Sequence, residues 1–171
     1  MKIVKWLDKS FEELALIILS IFTVVVIFLQ VFMRYVVGDS LSWSEEIARY
    51  AFIWMIYLGV SYGVKKNKHL GVDAFLLLFE KKGQLIIGII ANLCFLVFAV
   101  VITYYGIDIL SRVTRESAAM QISLKWVYAA PVVGMLLTSV RLIQNIVLEA
   151  VELKKMKEVL KERNVLKEET V

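Results

Sequence analysis

Four stretches of this chain are free of Asp, Glu, Lys, Arg and His: Leu14 to Met33, Tyr50 to Val64, Gly83 to Ile107 and Trp126 to Val140. A helix needs roughly 20 residues to cross a bilayer core of about 30 Å, and the second run has only fifteen. Its missing length lies on its polar flank, SLSWSEEIAR. Ser42 and Glu45 have the S-x-x-E spacing of a capping box, in which serine and glutamate satisfy each other's backbone N–H groups, so a helix is predicted to start near Trp43. From Trp43 to Val64 that helix would be about 33 Å long. The pattern predicts an all-α integral membrane protein with four transmembrane helices. Spans fall at about 12–34, 43–64, 83–108 and 126–148 in a domain over residues 1–150, followed by a charged helical tail at 151–171.

Composition agrees with this reading, since 60% of residues are apolar and mean hydropathy is +0.74, above the usual range for soluble domains. The first run is a full 20 residues, longer than the apolar core of a signal peptide, and is expected to be retained. The only cysteine, Cys94, lies inside the third run, so no intramolecular disulfide is possible. Of the 20 Lys and Arg residues, 15 lie in the N-terminal segment, the second connection and the segment from Arg141 onward; the first and third connections hold 5. Basic residues are retained on the cytoplasmic side of short loops. Both termini are therefore expected inside. No basic helix with interleaved aromatics accompanies the net charge of +4, which argues against a nucleic-acid partner.

Within the polar flank, Glu45 and Glu46 fall in the predicted first turn, where the helix dipole favours carboxylates, and Glu45 and Arg49 form an i, i+4 pair. Trp43 is placed at headgroup level. These residues make either an ordinary helix start with a solvated charge pair or a contact surface for a partner. Lys65, Lys66, Lys68, Lys81 and Lys82 flank a short apolar piece around His69 and Asp73, expected to lie in the inner interface as an amphipathic segment with its lysines on phospholipid headgroups. Gly59 with Gly63, and Ala130 with Gly134, have the spacing that lets helix backbones approach closely in lipid. Pro131 is placed to kink the fourth helix. Tyr50, Trp54 and Tyr57 recur at about one turn, as a packing face or an aromatic belt. Asn92 and Thr103 are expected to make helix-to-helix hydrogen bonds, and Asp108 with Arg112 to form a solvated pair.

The four runs contain no Asp, Glu, Lys, Arg or His, whereas ion and proton pathways usually leave such a residue in the membrane. A single histidine excludes a bis-histidine haem within this chain and counts against a metal site. No nucleophile motif or phosphate loop is present. An enzyme or a self-sufficient transporter is disfavoured, and an accessory subunit is favoured.

Against that background, the segment LSWSEEIARYAFIWMIYLGVSYGVKKNKHLGVD, Leu41 to Asp73, resembles the signature of the small membrane subunit, the Q subunit, of tripartite ATP-independent periplasmic (TRAP) transporters. The matching positions are Trp43, Glu45, Glu46, Arg49, Leu58, Gly59, Lys65, Lys66, His69, Val72 and Asp73, supported by FMRYVVGDSLSW and by ISLKWVYAAPVVGMLL with Pro131 and Gly134. Gly71 stands where a polar residue is common in the family. The resemblance implies a heteromer with a large membrane subunit, which carries the substrate and sodium sites, fed by a periplasmic substrate-binding protein. This chain itself would hold no cofactor. It further implies an inner-membrane location in a bacterium or archaeon and sodium-driven uptake of organic anions such as C4-dicarboxylates, sialic acid or other sugar acids. Candidate contacts to those partners are Asp39, Trp43, Glu45, Glu46, Arg49, Trp54, Gly59, Gly63, His69, Asp73, Arg112, Arg115, Pro131 and Gly134. The alternatives from other classes are a four-helix anchor or assembly subunit of another membrane complex, and a small four-span exporter.

Overall fold

A computed structural model describes residues 2–66 and 81–169, with side chains described over 11–66 and 81–158. The predicted segment around Lys68, His69 and Asp73 lies outside the described residues. The four predicted spans are helices: α1 (Lys2–Phe32), α2 (Ser42–Lys65), α3 (Lys81–Arg112) and α4 (Lys125–Glu169). Each is longer than its uncharged run because the polar flanks continue the helix. Helix α1 passes into a π-helical turn, Met33–Val37, which ends at Gly38 with φ of 81°. Only glycine adopts that conformation without a Cβ penalty, and it lets the Gly38 N–H close on the Met33 carbonyl. Helix α4 runs unbroken through Pro131, and its 45 residues reach about 68 Å. The charged tail is thus helical up to Glu169.

The capping box is not formed. The N-cap of α2 is Leu41, with no side-chain cap; Glu45 instead takes Arg49 at 2.9 Å, and the Ser44 hydroxyl donates to the Leu41 carbonyl at 2.7 Å. Ser42 is therefore inside the helix rather than at its cap.

Among the described residues, α1 packs on α2, α2 on α4 and α4 on α3, and no other pair of these helices meets backbone to backbone. The helices stand in a single row in the order α1, α2, α4, α3. One end of the row, the loop end, carries the connections 33–41 and 113–124. The other, the tail end, carries the chain termini.

The row explains the distribution of side chains. Seams are lined by small or polar residues such as Ser44, Ala48, Ala51 and Ser61 on α2, and Ala130, Thr138 and Asn145 on α4, while large apolar residues such as Val24, Phe28, Ile90 and Val97 point away from the row. Lipid tails are as apolar as leucine, so burying leucine between helices gains little and close backbone packing gains more. The closest approach is at Gly134, where a Cβ would stand 2.6 Å from Tyr57 Cβ and 2.9 Å from its carbonyl oxygen. A Cβ at Gly106 would meet Val132 Cγ2 at 2.8 Å. Gly59 is in ordinary contact with α1, 3.9 Å from Leu16 Cδ2, and a Cβ at Gly63 meets nothing. Only the Ala130–Gly134 pair therefore marks a close seam within this chain. Asn92 does bond between helices, but Thr103 turns back on its own helix, donating to the Ala99 carbonyl at 2.8 Å.

Candidate functional site: an inner ion cluster and an outer hairpin

At the tail end, three ionisable side chains from three helices converge in the interior. Glu12 of α1 is 1% exposed. Its Oε1 accepts from Ser61 Oγ on α2 at 2.9 Å and from Arg141 Nε on α4 at 3.1 Å, and its Oε2 lies 2.9 Å from Lys65 Nζ on α2. Arg141 also donates to Gln144 Oε1 at 2.9 Å. One turn further on, Asn145 Nδ2 donates to the Val64 carbonyl at the end of α2 at 2.9 Å. Two helix turns past Arg141, Glu149 receives both bonds of Asn92 from α3 at 3.1 Å. Each seam of the row therefore carries a polar tie near this end, and Glu12 is what joins α1 to α4.

Charge buried in this way needs full pairing, since an isolated ion in a low-dielectric interior is strongly unfavourable. One carboxylate here faces two cations and a hydroxyl. Glu12 and Lys65 stand at the tail-end limits of their apolar spans, and Arg141, about 24 Å along α4 from Lys125, meets them at that level. That position fits interhelical fastening more than passage of an ion through the membrane.

The loop end is built differently. The connection 113–124 folds back on itself through a Glu116–Ser123 bridge, with Ser117 N–H donating to the Ile122 carbonyl at 2.8 Å and Leu124 N–H to that of Arg115 at 3.0 Å. Its tip is held by α2. Glu46 Oε2 accepts the backbone N–H groups of Ala119 at 3.0 Å and Met120 at 3.1 Å, and Oε1 accepts the Tyr50 hydroxyl at 2.5 Å. Trp54 Nε1 reaches the Trp126 carbonyl at 3.1 Å, so α2 grips the start of α4 as well.

The other predicted site residues are scattered around these two centres. Asp39 and Trp43 are exposed at the loop end, and so are the Glu45–Arg49 pair and Arg115. Arg112 pairs with Asp108 at 2.9 Å. Lys65 turns inward to Glu12, whereas Lys66 sits over the Tyr62 ring at 5.4 Å, and Lys81 and Lys82 are exposed. Pro131 lies inside α4 and Gly134 against Tyr57. His69 and Asp73 fall outside the described residues. Sequence reasoning missed Glu12, Ser61, Arg141 and Asn145 as site residues, reading the charged ones as span flanks or topology signals. The available signal was that Glu12, Lys65 and Arg141 all border uncharged runs at the same end. Among the described residues no group of three His, Cys, Asp or Glu side chains could hold a metal ion.

Comparison with known proteins identifies a family. The profile of the family described as "Tripartite ATP-independent periplasmic transporters, DctQ component" matches residues 23–152. A Haemophilus influenzae protein described as a TRAP transporter small permease is 34% identical over 135 residues, covering 78% of this chain and 81% of that protein. The Vibrio cholerae sialic acid TRAP transporter small permease SiaQ is 26% identical, with 78% and 79% covered. The isethionate TRAP transporter permease DctMQ of Oleidesulfovibrio alaskensis is 29% identical over 84% of this chain, but the match spans only 24% of that longer protein.

Proposed function

The chain belongs to the DctQ component family of TRAP transporters, as a multi-pass inner-membrane permease subunit rather than an enzyme, and on that premise we propose that it is the stationary support of a larger transport subunit. The observation that carries this reading is the single row of helices. A row leaves two broad apolar faces, far more than four helices in a closed bundle would, and ties its members together with polar groups at both ends. Such a plate is suited to lie against another membrane protein and extend its footprint in the bilayer. The DctMQ relative, in which the matching segment is about a quarter of one permease, supports a large membrane partner for this chain. The basic residues favour both termini on the cytoplasmic side, which puts the loop end outside, where a soluble substrate-binding protein would arrive.

The transported compound is an organic anion, by analogy with relatives named for sialic acid and isethionate, and the driving gradient is sodium. The substrate and sodium sites are assigned to the large subunit, because the ionisable groups buried here are saturated by one another at the edge of the membrane. The test is reconstitution in vesicles. This chain alone should transport nothing. Together with the large subunit, an inward sodium gradient and the loaded binding protein, it should support uptake without ATP. Uptake by the small chain alone, or full uptake by the large subunit without it, would refute the proposal.

A further inference from the structure

The hairpin at the loop end is more ordered than a surface connection of its length requires. Its residues 113–124 form no helix, and connections of about twelve residues without secondary structure are usually functional or loose. This one is closed by its own hydrogen bonds, turns through Gln121 at a φ of 53°, and is fastened by a carboxylate from a different helix. Beside it lies a cleft of about 350 Å³ lined by Arg112, Arg115, Thr114, Leu124 and Tyr128, with Ile109 among its apolar walls. Asp108 neutralises Arg112, while Arg115 makes no ion pair among the described residues. The cleft therefore carries net positive charge beside apolar side chains and opens to water.

We propose that this cleft receives an acidic side chain from the surface of a soluble partner protein docking on the loop end, and that Glu46 is the positioning residue that holds the hairpin, and so Arg115, in place for it. A guanidinium offers planar, bidentate recognition of a carboxylate. The cleft is large enough for a carboxylate side chain and one neighbour, and too small for a folded segment. Pre-ordering the hairpin spares the partner the entropy of arranging it. Glu46 is suited to that task because its two oxygens are committed to Tyr50 and to the hairpin tip, which leaves it a support rather than a contact.

The inference rests on the transporter reading above, and its test separates the two. The small and large subunits are reconstituted together with a sodium gradient, and uptake is titrated with the purified soluble binding protein of the same system, loaded with its anion. Arg115→Glu should raise the half-saturating concentration of binding protein about tenfold with the maximal rate unchanged, because opposed like charges at an interface repel the partner. Glu46→Gln should shift the same parameter about threefold and speed amide exchange at Ala119 and Met120, again with the maximal rate retained. Arg115→Lys should recover most of the loss. An unchanged half-saturation in Arg115→Glu overturns the cleft and leaves the transporter reading standing. Competition by the free anion at the cleft, independent of binding protein, also overturns it, by assigning the site to a small molecule. No uptake by the wild-type complex overturns the transporter reading and the cleft with it.

Discussion

Replacing Glu12 by Gln tests the ion cluster at its most buried point. The side chain of Glu12 is 2% exposed, and those of its partners Arg141 and Lys65 are 11% and 16% exposed. The amide keeps one acceptor oxygen, enough for Ser61 or Arg141. Its NH2 group would then face the Lys65 ammonium, donor against donor, and two cations would remain with no anion between them. Removing one partner of a buried pair typically costs about 3 to 5 kcal/mol. Lys65 ends its helix and can swing its ammonium toward headgroups, so the loss should fall in the lower half of that range, about 3 to 4 kcal/mol. The assay is equilibrium unfolding of the purified chain in mixed micelles, followed by the emission of its 4 tryptophans. A double-mutant cycle with Arg141→Gln should give a coupling energy above about 1 kcal/mol, since the two side chains are in direct contact. The triple change Glu12→Leu, Lys65→Met, Arg141→Met should recover most of the stability, because an apolar replacement of a whole buried cluster is often neutral. A Glu12→Gln protein within about 0.5 kcal/mol of wild type, the range of ordinary surface substitutions, would refute the view that this cluster fastens the helices.

Gly134→Ala should destabilise the chain by about 1 to 3 kcal/mol through overpacking, since its Cβ would press on the Tyr57 backbone; Gly63→Ala should be silent within this chain, and equal effects in the same unfolding assay would contradict the seam. In a Cys94→Ala background, cysteine at Asp39 or Glu116 should react with an impermeant thiol reagent added outside and cysteine at Lys82 or Glu162 should not, a pattern whose reversal would invert the topology. Glu45→Gln should change stability by no more than about 0.5 kcal/mol, the value of an exposed i, i+4 pair, because both partners are well over half exposed.

Local features were legible in the sequence and distant ones were not. The four helices follow from the uncharged runs, and the Glu45–Arg49 and Asp108–Arg112 pairs follow from i, i+4 spacing. The capping box failed because Glu45 had a nearer cation, and a motif cannot show which of two partners a carboxylate takes. Glu46 looked like one more acidic residue in a first turn; its real partners lie 73 and 74 residues away. Glu12 and Arg141 are separated by 129 residues, and nothing local to either announces the other. Gly59–Gly63 and Ala130–Gly134 have the same spacing, yet only the second pair lies in a close seam, because spacing says that a backbone can be approached and not what approaches it. The single row also escaped, since four amphipathic or uniformly apolar helices are compatible with a bundle as much as with a plate.

The ties of the row bear on how it can move. Glu12 links α1 to α2 and α4, Asn145 links α4 to α2, Asn92 and Glu149 link α3 to α4, and Glu46 links α2 to the hairpin between α3 and α4. Sliding any helix by one turn, about 5.4 Å, would break at least one of these where no replacement partner is at hand. The plate should therefore act as one rigid body while the large subunit changes state. A cross-link between neighbouring helices tests this. Ser20 Oγ on α1 lies 3.1 Å from Met55 Sδ on α2, so cysteines at both positions in a Cys94→Ala background stand within reach of one another. Oxidising that pair in the assembled transporter should leave the initial rate of uptake unchanged. A loss of uptake on oxidation that a reductant restores would show α1 sliding on α2 during transport, and the rigid plate would have to be abandoned.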